Sequence, residues 1–307
     1  MVVQLSIAVF TGSRAEYDLL FPLLCWLSRQ VAPQGLTLLV GGEHLHRKAT
    51  VSSVLQADAD TYGWQVQWFS SELSATVQAQ STYVVQSVQH LQASTVFETT
   101  PVDCFIVLGD RVEAFALALG AFYQQVPIVH LAGGDVTEGG CVDDKLRWLL
   151  TELATLHVAF SQASANRLLA KGVAPHVVVH SGSLAVDNVL NTPLLPLDVL
   201  CQSIGWQLED IRPIVLFTQH PVGVEGELSA RYLAQTLNAL RQANVRVIAT
   251  APNLDGATDS VNQSISQVIT QSQQHDAPET IVWVETLGRQ GYLSWLAACN
   301  AVVGNSS

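Results

Sequence analysis

The sequence predicts an α/β protein made of two Rossmann-like domains, each a parallel sheet covered by helices on both faces, with the two facing a cleft. Three observations predict it. Short apolar runs alternate with helix-like stretches along the chain, the pattern of repeated strand–helix–strand units. The strand runs are near-continuously apolar, as strands buried on both faces are. The alternation also falls into two series, separated after Asp187 by the segment "NVLNTPLLPLD" with its two prolines.

The first series places strands at 5–10, 36–40, 104–108, 127–131, 157–160 and 177–180. Helix-like stretches lie between them, such as 16–28, 111–123 and 144–154. The second series places strands at 214–218, 245–250, 281–284 and 301–303, with a helix at 228–242. The expected domains are residues 1–188 and 189–307, the second incomplete. The start "MVVQLSIAVF" has neither a basic leader nor a cleavage site and reads as a first strand. The apolar stretch 114–123 is too short to span a bilayer.

Composition narrows the function. Of 307 residues, nearly half are hydrophobic and 13% are charged, which suits a large core and argues against disorder. The net charge of −12, with 14 Lys and Arg, argues against nucleic acid or an anionic membrane as a main partner. The five cysteines are scattered with no CxxC pair, so neither a zinc site nor a disulfide framework is suggested. The reading is a reduced, cytoplasmic protein with no cofactor and no catalytic metal.

Ligands of open parallel sheets bind beyond the carboxyl ends of the strands. The unusual polar residues fall there: "TGSRAE" after the first strand, "GDRVE" after the 104–108 run and "GGDVTEGG" after 127–131. "QHP" follows 214–218, and "GNSS" follows the last run. Each alone has a plainer reading as a turn or a helix cap, with Ser13 or Asp110 capping. Independent turns have no reason to gather Arg14, Asp110, Arg111, Asp135, His220 and Ser306 at strand ends. "TGSRAE" is neither GxGxxG nor a Walker A loop, and GxSxG and HExxH are absent, which excludes the commoner nucleotide, hydrolase and metalloprotease templates. Asp143 and Asp144 at a helix start need no Mg²⁺ to explain them.

In their order and spacing, "TGSRAEYDLLFPLL", "LGDRVEAFALALGAF", "PIVHLAGGDVTEGGCVDDKLRWLLTELATLHVAFS", "GSLAVDN", "QHPV", "APNLDG" and "GNSS" resemble the hydrolysing UDP-N-acetylglucosamine 2-epimerases of sialic acid synthesis. The resemblance implies a GT-B-like fold and conversion of UDP-N-acetylglucosamine to N-acetylmannosamine and UDP. The implied route is elimination of UDP to 2-acetamidoglucal, then hydration. It implies Asp110, Asp143, Asp144 and His220 as catalytic, without assigning base and acid. It implies substrate contacts from Arg14, Glu16, Arg111, Glu113, Asp135, Thr137, Arg147, Asn253, Asp255, Gly304, Asn305, Ser306 and Ser307.

Two positions depart from the family's pattern: Trp148 stands where a His is usual, and Ala132 where His or Glu is common. The alternative substrate is UDP-2,4-diacetamido-trideoxyglucose. The alternative roles are a GT-B glycosyltransferase and a degenerate sugar-nucleotide-binding protein. By analogy the partners are a UDP-sugar and further copies of the chain. In the family the chain continues beyond "GNSS" into further helix, so the resemblance also implies a C-terminally truncated chain.

Overall fold

A computed structural model describes residues 4–45, 48–69, 85, 102–137, 142–220, 226–252 and 259–305. The chain divides into two compact units, Met1–Asn191 and Thr192–Ser307.

In the first unit the elements run β1 (Ile7–Thr11), α1 (Arg14–Gln30), β2 (Leu36–Val40), α2 (Lys48–Tyr62), β3 (Gln65–Trp68), β4 (Cys104–Leu108), α3 (Val112–Tyr123) and β5 (Ile128–Leu131). They continue through α4 (Val142–Leu153), β6 (Leu156–Ala159), α5 (Gln162–Ala170), β7 (Val178–His180) and α6 (Leu184–Asn191). All seven strands are parallel, in the order β3-β2-β1-β4-β5-β6-β7.

Successive strand residues point to opposite faces, and both faces of this sheet are buried. Ile7, Val9, Leu36, Leu38, Val40, Ile106 and Leu108 pack with Tyr17, Leu20, Leu24 and Leu27 of α1. Ala8, Phe10, Leu39, Phe105 and Val107 pack with Ala114, Leu117, Ala118 and Ala121 of α3. The 3–4 spacing of those α1 and α3 residues makes one apolar stripe on each helix. Each large side chain so buried contributes about 1.5–3 kcal/mol. The 114–123 stretch is therefore a core helix, and among the described residues no helix is long and apolar enough to cross a membrane.

The second unit contains α7 (Leu197–Ser203), β8 (Ile214–Thr218), α8 (Gly226–Gln242), β9 (Arg246–Thr250), α9 (Asp259–His275), β10 (Ile281–Val284), α10 (Gly288–Ala298) and β11 (Ala301–Gly304). Its sheet is parallel, in the order β10-β9-β8-β11. One face packs Val215, Phe217, Val247 and Ala249 on α8 and α9. The other packs Ile214, Leu216 and Ile248 on Trp206 and Trp295.

Two elements depart from the expectation. The strand β3 has the sequence Gln-Val-Gln-Trp, whose polar residues hide it from an apolar-run criterion; an edge strand tolerates them. Helix α6 carries the chain through Asn191 because both prolines of the linker, Pro193 and Pro196, come after it.

The turn after β5 fixes the approach of two layers. Gly134 has φ +79°, and a Cβ there would lie 2.3 Å from the Ser164 carbonyl oxygen of α5. Gly134→Ala combines a left-handed penalty of about 1–2 kcal/mol with overpacking of about 1–3 kcal/mol. It is expected to lower unfolding stability by about 2–5 kcal/mol in urea denaturation; a change within experimental error would show that the turn relaxes freely.

Candidate functional site

In the first sheet the strand order reverses between β1 and β4, so a crevice opens beyond their carboxyl ends. Thr11–Gly12–Ser13 leaves β1 there, and Gly109–Asp110–Arg111 leaves β4. Gly109 has φ +73°, a turn that favours glycine and that delivers Asp110 directly after the strand. From the next strand, β5, the chain turns through Ala132 and Gly133–Gly134 to Asp135.

Arg147 ties these segments together. It sits on α4, one turn after Asp144, and is buried to 8% exposure. Its Nη1 donates to the Asp144 carboxylate and to the Asp135 carbonyl, both at 2.8 Å, and its Nη2 donates to the Asp110 carboxylate. Asp144 Oδ1 also accepts from the Thr137 backbone N–H at 2.8 Å. One guanidinium thus fixes the ends of β4, β5 and α4, which uses its planar fork of donors.

Asp110 feels opposing influences. Burial pushes its carboxyl up most, Arg147 pulls it down, and Asp143 pushes it up again, for a net rise. Asp143 is exposed at the start of α4. Asp135 is held from its other side: its Oδ1 accepts from the buried Ser164 hydroxyl. Ser164 lies three residues after Ser161, whose side chain caps α5 by accepting from the Ser164 N–H at 3.1 Å. Arg167 of α5 donates to the Gly134 carbonyl at 2.9 Å.

A second charged group lies beside the first. Arg111 Nη2 donates to Glu113 at 2.9 Å and to Glu43 at 3.1 Å, and its Nε reaches Glu113 at 3.3 Å. Burial disfavours the cation, but Glu113, Glu16 and Glu43 together outweigh it and hold Arg111 above its ordinary range. Glu113 and Glu16 are both buried. Glu16 accepts from the Gly12 N–H at 2.7 Å, while Ser13 caps α1 by accepting from the Glu16 N–H at 3.3 Å. Burial pushes Glu16 up to about 8, Arg111 opposes and Glu113 reinforces. Burial pushes His44 down to about 4, and its Nε2 lies 3.1 Å from the Thr11 hydroxyl.

In the second unit the corresponding reversal lies between β8 and β11. There the Asn305 side chain pairs with both backbone groups of His220: Oδ1 accepts from its N–H at 2.7 Å, and Nδ2 donates to its carbonyl at 2.9 Å. Gly304 lies against the Thr218 carbonyl, 2.0 Å from where a Cβ would stand. Asn253, Asp255, Ser306 and Ser307 lie outside the described residues.

A profile of the family described as UDP-N-acetylglucosamine 2-epimerase matches residues 31–307. The chain belongs to the UDP-N-acetylglucosamine 2-epimerase family. The UDP-N,N'-diacetylbacillosamine 2-epimerase (hydrolyzing) of Legionella pneumophila is 27% identical over 305 residues, covering 98% of this chain and 76% of that one. The GDP/UDP-N,N'-diacetylbacillosamine 2-epimerase (hydrolyzing) of Campylobacter jejuni is 30% identical over 215 residues, covering 70% of this chain. The chain spans 54% of that relative's length. Among solved structures, the UDP-GlcNAc 2-epimerase of Neisseria meningitidis bound to UDP-GlcNAc superposes with a TM-score of 0.73 at 17% identity, over 98% of this chain and 78% of that one. The GT-B-like, two-sheet α/β architecture is that of this family's members.

Within the first unit the structure brings together Asp110, Asp144, Arg147, Asp135 and Thr137. It gathers Arg111, Glu113 and Glu16 into a neighbouring ion-pair group whose carboxylates face Arg111. Arg14 opens α1 next to it. Trp148 packs against the Ala159, Ala165 and Leu168 cluster, with the Lys171 ammonium 5.1 Å from its ring centroid, so it belongs to the α4–α5 contact. Ala132 takes a left-handed turn at φ +63°. Sequence reasoning passed over Glu43, His44, Thr151, Ser164 and His130. His130 carried a signal, since it is the polar interruption of an otherwise apolar strand run, "PIVHL".

The Glu16 environment sets a pH dependence. The unfolded chain releases this proton near 4.5, whereas the folded chain keeps it to about 8. The stabilising contribution is therefore complete below about 4.5 and is lost as pH rises towards about 8. Glu16→Gln mimics the protonated acid, so its melting temperature relative to the unsubstituted chain should rise steadily from pH 5 to pH 8. A parallel pH dependence of the two proteins would place the buried proton elsewhere.

Proposed function

We propose that this chain is a hydrolysing 2-epimerase of a UDP-linked 2-acetamido sugar, and that Asp110 takes part in moving the proton at C2. The observation that carries the proposal is the environment of Asp110 in a chain of this family. It follows β4 at the reversal point of the sheet, burial raises its basicity, and Arg147 fixes its orientation. A carboxylate made more basic by burial and held by a neighbour is suited to abstracting a weakly acidic C–H proton.

The proposed reaction has two balanced steps. A carboxylate takes the C2 proton as the C1–O bond to UDP breaks, and the electron pair of the C–H bond becomes the C1–C2 double bond of a glucal. Water then adds its oxygen to C1, and a proton returns to C2 on the opposite face. The sum is one UDP-sugar and one water giving UDP and the 2-epimeric free sugar. Asp143 and Asp144 are the candidates for the second proton transfer. Diphosphate stabilisation is assigned to the second unit, where His220 and Gly304–Asn305 lie at the reversal point of its sheet.

For the sugar, the names of the Legionella and Campylobacter relatives favour UDP-N,N'-diacetylbacillosamine. The second reading, UDP-N-acetylglucosamine, draws on the family description and the Neisseria structure. Offering each sugar nucleotide alone and following free sugar and UDP by proton NMR separates them. Release of the 2-epimeric free sugar from one of them is the expected result. An absolute requirement for an acceptor would point instead to a glycosyltransferase. Asp110→Asn should reduce kcat by about 10²–10⁴-fold, with the circular dichroism spectrum unchanged; a rate within twofold of the parent would remove Asp110 from the chemistry.

A further inference from the structure

The buried His130 is used by none of the roles above, yet it touches both sides of the Asp110–Arg147 pair. It lies on β5 with 0% exposure. Its Nε2 is 2.8 Å from the Gly109 carbonyl oxygen, one residue before Asp110. A carbonyl only accepts, so the proton of that bond is on Nε2. Its Nδ1 is 3.3 Å from the Thr151 hydroxyl. Thr151 lies one turn after Arg147 on α4, and its hydroxyl is 3.0 Å from the Arg147 carbonyl.

A line of contacts therefore runs from the Gly109 peptide through the imidazole to the helix that carries Arg147. It closes a ring, because Arg147 in turn bonds Asp110. We infer that His130, with Thr151, is a positioning residue that holds the Gly109–Asp110 turn in register with Arg147.

The charge state agrees with this role. Burial pushes His130 down to about 4, with the Gly109 carbonyl opposing and His157 and Arg147 adding to the fall. The ring is neutral at physiological pH, so Nδ1 can only accept, and the single Thr151 hydroxyl proton is shared between Nδ1 and the Arg147 carbonyl. The groups facing His130 are the Gly109 carbonyl from the turn after β4, Thr151 and Arg147 from α4, and His157, its partner in register on β6. The residues that act on the Asp110 carboxyl are Arg147, Asp143 and Arg111. Of these, Arg147 and Asp143 both lie on α4, the helix that the His130–Thr151 contact holds; Arg147 is one turn from Thr151 and its influence on Asp110 is the larger.

The inference rests on Asp110 being the working carboxylate, so the test has one arm independent of turnover. The Asp110 carboxyl is titrated by ¹³C NMR in the parent, in His130→Gln and in Thr151→Val, with Asp110→Asn for assignment. Gln can still donate to the Gly109 carbonyl but loses the Thr151 contact; Val keeps the volume of Thr without the hydroxyl. Loosening α4 weakens the Arg147 charge and hydrogen bond that lower the Asp110 pKa, which outweigh the opposing push of Asp143 on the same helix, so in both variants that pKa should rise. An unchanged Asp110 titration in both overturns the inference whatever the enzyme turns over. On the sugar nucleotide that the parent converts, Thr151→Val should lower kcat more than it alters KM. It should also move the acid limb of kcat/KM upward in step with the NMR titration. His130→Leu, which removes both bonds, should lose about 10²-fold in kcat, the scale of a displaced reacting group. A fall in melting temperature with kcat and the acid limb unchanged would mark a purely structural histidine.

Discussion

Much of the first unit depends on where one guanidinium sits. Arg147 arrives on a helix, yet its three acceptors come from three different places: the residue one turn earlier, the loop after β4 and the loop after β5. A single flexible point charge would not hold three acceptors in one geometry. A planar fork can, because its donors diverge at fixed angles. The arrangement also resolves a conflict of charges. Asp143 pushes against Asp110, and a permanent cation bonded to both Asp110 and Asp144 offsets negative charge gathered at the start of α4.

The neighbouring Arg111 group solves a different problem. Three carboxylates around one cation leave excess negative charge in a buried place, and the excess is relieved by keeping a proton on Glu16. Removing a charge this way costs less than burying it unpaired. The group joins the end of β1, the turn at Gly42–Leu45 and the start of α3. A Cβ at Gly42 would stand 2.6 Å from the Gly12 carbonyl and 2.7 Å from Glu113, so this contact needs the glycine. The two arginines thus divide the work, one aligning carboxylates that stay partly accessible and one closing the wall beside them.

The strands of both sheets were legible in the sequence because a doubly covered strand must be apolar throughout, and most of the runs so identified are strands. The edge strand β3 was not, since an edge escapes that requirement. The candidate site was legible as residue types at strand ends, because the carboxyl edge of a parallel sheet is where polar residues have reason to collect. What the sequence could not show is which acids stay partly accessible and which face inward. Glu113 and Asp110 are three residues apart in one motif, but Glu113 is 1% exposed and turned to Arg111, while Asp110 meets Arg147. That division is decided by the hand of the turn at Gly109 and by what α4 brings to it. Nor could the sequence show that Trp148, which departs from the family's usual His, serves the seam between two helices.

A strand that is apolar on both faces has a weakness in alignment. In a half-exposed strand, a slip by one residue turns apolar side chains into water and is strongly penalised. Here a slip would merely exchange one oily face for another. His130 corrects this. Shifted by one position, its imidazole would face the opposite layer, leaving the Gly109 carbonyl without its donor and a ring nitrogen without its hydroxyl. The polar residue in the middle of β5 thus acts as an index mark, setting which residues of β5 and of the neighbouring β4 reach the crevice and at what depth.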